Sequence, residues 1–224
     1  MSTSIRLKFA RKGPVCYLGH LDMLRYFQKA VFRSCIDIRY SEGFNPHQIM
    51  SFAYPLGVSM ETEGDYMDID VNSYESLDDI VDKLNAVMNE GISIISASIV
   101  PDGSLNAMAS VYAASYRLGI TSAKPLTSQI IDDFLSQKEI IVEKEGKKGL
   151  REEDIKAGIF FLNFADGVLS CNLKSGSEMN IKPKTIVEAI SKYAGFYISL
   201  DKITRVDIFQ KIDDKIVSLG DFNG

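Results

Sequence analysis

YMDIDVNSYESLDDIVDKLNAVMNE, residues 66–90, changes its hydrophobic period partway along. Met67, Ile69 and Val71 alternate with Tyr66, Asp68 and Asp70, which predicts a strand with one buried face and Asp68 and Asp70 turned to solvent. Leu77, Ile80, Leu84 and Val87 then recur at helical spacing, so an amphipathic helix follows after a short polar loop. GISIISASIV, residues 91–100, reads as a further strand. A strand, a helix and a strand in immediate succession form the second part of a split βαβ arrangement.

Working back toward the start, SIRLKF, residues 4–9, alternates Ile5, Leu7 and Phe9 with Ser4, Arg6 and Lys8, a strand with one basic face. After the break at Lys12, Gly13 and Pro14, HLDMLRYFQKAVFRS, residues 20–34, places Leu21, Leu24, Phe27 and Val31 at helical spacing. Asp22 falls in the first turn, where the helix dipole favours a carboxylate. Arg25, Lys29 and Arg33 fall four apart and make one ridge, expected to continue the basic face of the first strand. IDIRYS reads as a short strand, and QIMSFAYPL as another extended run closed by Pro55.

Beyond residue 106 the order recurs without evident sequence identity. Tyr112, Ala114, Tyr116, Leu118 and Ile120 mark a strand, LTSQIIDDFLSQKE a helix and EIIVEK a strand. IKAGIFFLNF and VLSCNLKS form a hairpin about Asp166 and Gly167, a dipeptide suited to a tight turn. KPKTIVEAISKYAG supplies a helix, with Pro183 near its start and Gly195 past its end, and ITRVDIFQ a last strand. The expected fold class is α+β: two ferredoxin-like (split βαβ) halves, 1–103 and 104–224, with antiparallel sheets and helices packed on one face. The pattern accords with two domains or with one fused domain.

The 224 residues are 46% hydrophobic and 25% charged, enough to bury a sizeable core. No apolar run approaches the roughly 20 residues of a membrane span, and no basic-then-apolar start marks export, so a cytoplasmic protein with no membrane partner is expected. Cys16, Cys35 and Cys171 are too far apart for a zinc or three-cysteine iron–sulfur motif, and are expected reduced. No phosphate-binding glycine loop, dinucleotide fingerprint or Ser-His-Asp order occurs, which removes support for ordinary ATPase, dehydrogenase and hydrolase chemistry. The net charge is -5 but uneven. In the first fifty residues eight Lys and Arg face three acids, Asp22, Asp37 and Glu42, whereas in the next fifty Lys83 alone faces ten acids. A basic first block is a solvated face or a surface for anionic ligands.

The turn YSEGFNPHQ, residues 40–48, joins these blocks. Gly43 permits positive φ and Pro46 restricts Asn45, so Phe44 and His47 are held in fixed directions. With the preceding helix start GHLD and the following SFAYPL, this region resembles the radical SAM-associated DUF2344 family, whose pattern joins an SHLD helix start, an arginine-rich helix, a GFNPHP turn and an S-F-A-x-P-L strand. The likeness covers about residues 5–100. Gly19 stands in place of the family's serine, Gln48 in place of the second proline, and the family's paired arginines are thinned to Lys29 and Arg33. The resemblance implies a chain linked or fused to a radical SAM protein, with an accessory or substrate-handling role and the iron–sulfur chemistry in the partner.

His20 and His47 are the only histidines, and as a pair they are candidate acid and base for cleaving or modifying RNA. The plainer reading has His20 starting a helix and His47 bonded within the turn. Glu61, Glu63, Asp65, Asp68 and Asp70 are an acidic run that strand alternation already explains, so no metal site is assigned. Cys16, among Val15, Tyr17 and Leu18, reads as buried. The expected role is that of a non-catalytic accessory protein, without a cofactor, that binds RNA or presents a substrate. Arg6, Lys8, Arg25, Lys29 and Arg33 would hold phosphates, and Tyr40, Phe44, Asn45 and His47 would position a base or a partner loop. A docking module without nucleic-acid affinity is the other non-enzymatic alternative.

Overall fold

The computed structural model describes residues 2–146 and 149–222. In chain order its elements are β1 (Thr3–Arg11), α1 (His20–Arg33), β2 (Met50–Phe52), β3 (Glu61–Val71), α2 (Leu77–Asn85), β4 (Ile92–Ile99), α3 (Ala107–Ser110), β5 (Ala113–Ser122), α4 (Ser128–Ser136), β6 (Ile141–Gly146), β7 (Gly149–Asp154), β8 (Ile159–Ala165), β9 (Val168–Lys174), α5 (Pro183–Ala194), β10 (Ile198–Ile212) and β11 (Lys215–Ser218). They divide into two compact units, residues 1–112 with 205–224, and residues 113–204. The segment 205–224, placed by the sequence pattern in the C-terminal half, thus groups with the first unit. β10 starts in one unit and ends in the other.

In the first unit the strands run β4-β1-β3, with β2 and the end of β10 both beside β3, and β11 folding back on β10. β1 is antiparallel to β3 and to β4, and β2 is antiparallel to β3. Period-two alternation puts Ile5, Leu7 and Phe9 of β1 beside Met67, Ile69 and Val71 of β3 on one face, where they bury against Phe27 and Val31 of α1 and Ile80 and Leu84 of α2. Full burial of each such side chain contributes roughly 1.5–3 kcal/mol. Phe27 fixes α1 by edge-on contacts with Phe9 at 5.0 Å and Phe52 at 5.5 Å between ring centres. Ser76 caps α2 by accepting from the Asp79 backbone N–H, whereas Gly19 offers α1 no side-chain cap.

The opposite face overturns two expectations. Asp68 is buried rather than turned to solvent, and so is Arg6, 1% exposed, on the neighbouring strand. Arg6 donates to both carboxylate oxygens of Asp68, at 2.8 and 3.0 Å, and to the carbonyls of Leu219 and Leu105. Asp68 also accepts the backbone N–H of Ala107, at 2.6 Å. The alternation had the register right; what it lacked was the cover, which comes from the stretch around α3 and from the C-terminal residues. IDIRYS is likewise no strand, since only Ile38 and Tyr40 make isolated bridges.

At Gly64 the backbone of β10 lies close against β3. A Cβ there would lie 2.5 Å from the Val206 carbonyl oxygen and 2.9 Å from Asp207 Oδ1. Backbone cannot yield as a flexible side chain can.

In the second unit the order is β10-β5-β9-β8, with β5 and β8 each antiparallel to β9. The Asp166-Gly167 turn forms as expected, with φ of 51° and 75°, and Gly195 ends α5 at φ 71°. EIIVEK does not enter this sheet: β6 pairs with β7 in a separate ribbon, and the acidic, exposed β7 was not anticipated from the sequence. From β1 to β4 in the first unit, and from β5 to β10 in the second, the sequence of elements is strand, helix, strand, strand, helix, strand, and the sheet order is fourth, first, third, second; the β6–β7 ribbon is an insertion in the second, and α3, the end of β10 and β11 are additions to the first. No described helix is long and apolar enough to cross a membrane.

Two stability outcomes follow. Gly64→Ala is expected to cost about 1–3 kcal/mol, the range for forced overpacking, read as a lower urea midpoint at unchanged slope. Asp68→Ala, which leaves the buried Arg6 charge without its partner, is expected to cost about 3–5 kcal/mol in the same assay; a loss below 1 kcal/mol would mean that water reaches Arg6.

Candidate functional site

α1 buries Met23, Phe27, Ala30 and Val31, which leaves Arg25, Lys29, Phe32 and Arg33 on its outer face. Phe32 is 75% exposed and lies in a shallow depression bordered by Arg25, Gln28, Lys29 and Arg33. Arg25 makes a water-exposed contact with Asp22, 3.6 Å, of a kind that contributes little. Arg33 donates to the Val87 carbonyl at 3.1 Å, and Lys29 stands in solvent.

The turn stands beside this face because buried Gln48 donates to the Gln28 carbonyl of α1, at 3.2 Å, and to the Tyr40 hydroxyl, at 3.5 Å. It is closed at its neck by Ser41 and His47. The Ser41 backbone N–H donates to the His47 carbonyl, the His47 backbone N–H donates to Ser41 Oγ, and Ser41 Oγ lies 2.8 Å from His47 Nδ1. Gly43 takes the expected left-handed backbone, φ 112°. The product is an exposed loop of residues 42–47 with Phe44 at 112% exposure and Tyr40 half-exposed at its base. Asn45 is exposed in the same loop.

The nine predicted binding residues therefore separate. Arg25, Lys29, Arg33, Tyr40, Phe44, Asn45 and His47 share the helix side of the first unit, joined through Gln48. Arg6 and Lys8 point from the other face of β1, so the basic ridge does not continue onto that strand. Lys8 is bound to Asp207 at 3.0 Å and lies over the Tyr66 ring. Tyr66 donates to Asp207 at 2.6 Å, and burial, reinforced by that carboxylate, pushes its hydroxyl far above the usual phenol range. Nor do the two histidines form a pair: His20 packs edge-on against Phe52 at 5.4 Å, while His47 is engaged by Ser41. Among the described residues no cluster of three His, Cys, Asp or Glu is placed to hold a metal. Cys16 and Cys171 are buried, and Cys35 is exposed.

A second feature was missed from the sequence. GHLD and SFAYPL, about thirty residues apart, meet at one small cleft lined by His20 and Met23 of α1, Phe52 of β2, Tyr54, Pro55 and Leu56 of the segment after it, Phe9 and Arg11 of β1, and Asp65 of β3. Arg11 is 2% exposed; its Nη groups donate to the carbonyls of Leu18, Gly57 and Met60 at 3.0–3.2 Å. Burial lowers its pKa, opposed by the nearby Asp65 charge. Burial raises that of Asp65, against the pull of Arg205, whose Nη2 lies 2.5 and 2.7 Å from the two carboxylate oxygens. The available signal was an arginine at the inward phase of an otherwise apolar strand: Arg11 follows Ile5, Leu7 and Phe9 at period two.

A family model described as an uncharacterised protein conserved in bacteria (DUF2344) matches residues 4–183. This chain belongs to the DUF2344 family. The match includes α1, the turn and the cleft, and it runs on past the stretch in which the motifs are legible. Among curated proteins, none matches. Of solved structures, a chain in the crystal structure of a Cbf5-Nop10-Gar1 complex is similar over 90% of the DUF2344 chain, at 10% identity and a TM-score of 0.50. This chain spans about half of that one (48%), and the likeness is one of fold. The crystal structure of an unknown protein from Galdieria sulphuraria aligns over 90% of this chain and 98% of that one, at 13% identity and a TM-score of 0.28.

If Phe44 is displayed rather than packed, Phe44→Ala will leave thermal stability within about 0.5 kcal/mol of the parent, as for a surface substitution. A larger loss in a melting experiment would make Phe44 a structural residue.

Proposed function

We propose that this DUF2344 chain is a non-catalytic accessory protein that holds single-stranded RNA for a radical SAM partner, in the cytoplasm and away from membranes. The observation that carries the reading is the outer face of α1, where Arg25, Lys29 and Arg33 surround an exposed Phe32, and the neighbouring turn lifts Phe44 into water. Cations of this kind hold phosphates without reading sequence, and an exposed aromatic ring offers each base a stacking surface. Tyr40, Asn45 and His47 would orient the base beside Phe44. Arg6 and Lys8 take no part, because they are committed to Asp68 and Asp207 on the other face.

The radical SAM association rests on the GHLD, GFNPH and SFAYPL pattern. The ferredoxin-like reading of each unit rests on the fourth-first-third-second strand order and belongs to the same proposal. An enzymatic reading through His20 and His47 gains no support from two rings held in unrelated contacts.

The test is binding of a fluorescent single-stranded RNA to the purified chain at 50 and 200 mM salt, beside the Arg25→Glu, Arg33→Glu variant. Engagement of two or three phosphates gives a log–log salt slope of about -1.4 to -2.1, and the variant should flatten that slope and lose most of the affinity. An absence of binding at both salt concentrations would end the RNA reading and leave an acidic protein partner for the same face.

A further inference from the structure

The cleft beside the first turn of α1 lies apart from the RNA surface and has its own charge problem. Two buried guanidinium groups, Arg11 and Arg205, border a single buried carboxylate, Asp65. Both oxygens of Asp65 are taken up by Arg205. Arg11 is solvated by backbone carbonyls, which orient around its charge without neutralising it, and its Nε–H, also buried, has no hydrogen-bond partner. A buried charged donor left unsatisfied is costly, so this N–H calls for an acceptor.

Shape and surroundings narrow that acceptor. The cleft is open on one side and its volume is about 20 Å³, little more than the 10–15 Å³ that one water needs, so one oxygen fits inside it and the rest of a ligand must lie in its open mouth. The mouth is walled by Phe52 and Leu56, and exposed His20 stands at its rim. His20 also opens α1, a fourteen-residue helix whose N-terminal N–H groups have no side-chain cap from Gly19 and favour negative charge nearby. A flat two-oxygen group with an apolar body fits such walls better than a tetrahedral dianion does, and its single negative charge matches the single excess positive charge.

We propose that this cleft binds a small monocarboxylate, one oxygen accepting from Arg11 Nε–H and the apolar remainder lying against Phe52 and Leu56. The site goes beyond the RNA reading, because it uses none of the residues on the outer face of α1 and stands if that reading falls.

The direct observable is the Arg11 Nε–H signal, assigned by through-bond correlation in the full-length ¹⁵N-arginine-labelled chain. The probes are formate and benzoate, with chloride and inorganic phosphate at matched ionic strength as controls. Saturable movement of the Arg11 signal with formate or benzoate, absent with chloride and phosphate, is the expected result. Leu56→Trp, which fills the mouth from a partly exposed position, should abolish that movement while the Arg205 signal stays in place as a check on the fold. No movement with either carboxylate would assign the cleft to water and overturn the site, and so would equal movement with chloride or retention of the response in Leu56→Trp.

Discussion

The first unit depends on the ion pair between Arg6 and Asp68. One carboxylate receives two guanidinium N–H groups and the backbone N–H of Ala107, while the same guanidinium reaches the carbonyls of Leu105 and Leu219. Two central strands, the stretch around α3 and the C-terminal segment are thereby tied to one polar centre. Desolvating two charges gives such a pair little net stabilising value over an apolar substitute, so its contribution lies in specification. The placement of residues 105–107 and 219 meets the directional demands of these donors and acceptors, demands that an apolar layer would not make. Arg205 with Asp65 repeats the device further along β3, with the Tyr54 carbonyl accepting from the same arginine and the Tyr54 ring lying beneath it. In the first unit the sheet therefore has a mainly apolar face under α1 and α2, entered by Asp65 beside Phe9, and on its other side a face that buries the Arg6–Asp68 pair.

That division explains which parts of the fold could be read from the sequence. Helices α1, α2, α4 and α5 and the Asp166-Gly167 hairpin are specified locally, by the spacing of apolar residues, by Ser76 as a cap and by glycines at turns, so windows of ten or fifteen residues suffice. Alternation placed Met67, Ile69 and Val71 on the helix side correctly. The same alternation read Asp68 as a solvent residue, because an aspartate facing water and an aspartate facing a buried arginine look alike within a short window. The information that separates them sits at Leu219, 213 positions from Arg6. β7 and β11 escaped notice for a related reason: KIVS and GLREED carry no apolar face of their own, and exist as strands because β10 and β6 offer them edges.

The candidate surface divides in the same way. Arg25, Lys29 and Arg33 could be assigned to one exposed ridge because helical spacing and solvent exposure are both local properties. Their union with Arg6 and Lys8 could not be judged locally, since it turns on which side of β1 the helix packs. Once Ile5, Leu7 and Phe9 face α1, period two obliges Arg6 and Lys8 to face away from it. The excess of positive charge in the first fifty residues is therefore not one patch. Part of it is neutralised inside the unit by acids of β3 and β10, whereas Arg25, Lys29 and Arg33 of the helix stay exposed to solvent.

Arg11 shows how the two regions of the first unit are nonetheless coupled. By holding the carbonyls of Leu18, Gly57 and Met60 it fixes both the approach to α1 and the loop after SFAYPL against the end of β1. A lysine could not do this, because three carbonyls in different directions call for the planar fork of a guanidinium. The cost is a positive charge placed where no carboxylate is free to meet it, beside an uncapped helix start. Gly19 is consistent with that arrangement, since a serine there would add a side-chain acceptor for the helix N–H groups, whereas glycine leaves them directed outward. The helix that carries the exposed cations along its outer face is thus tethered just ahead of its first turn, at Leu18, by a buried one.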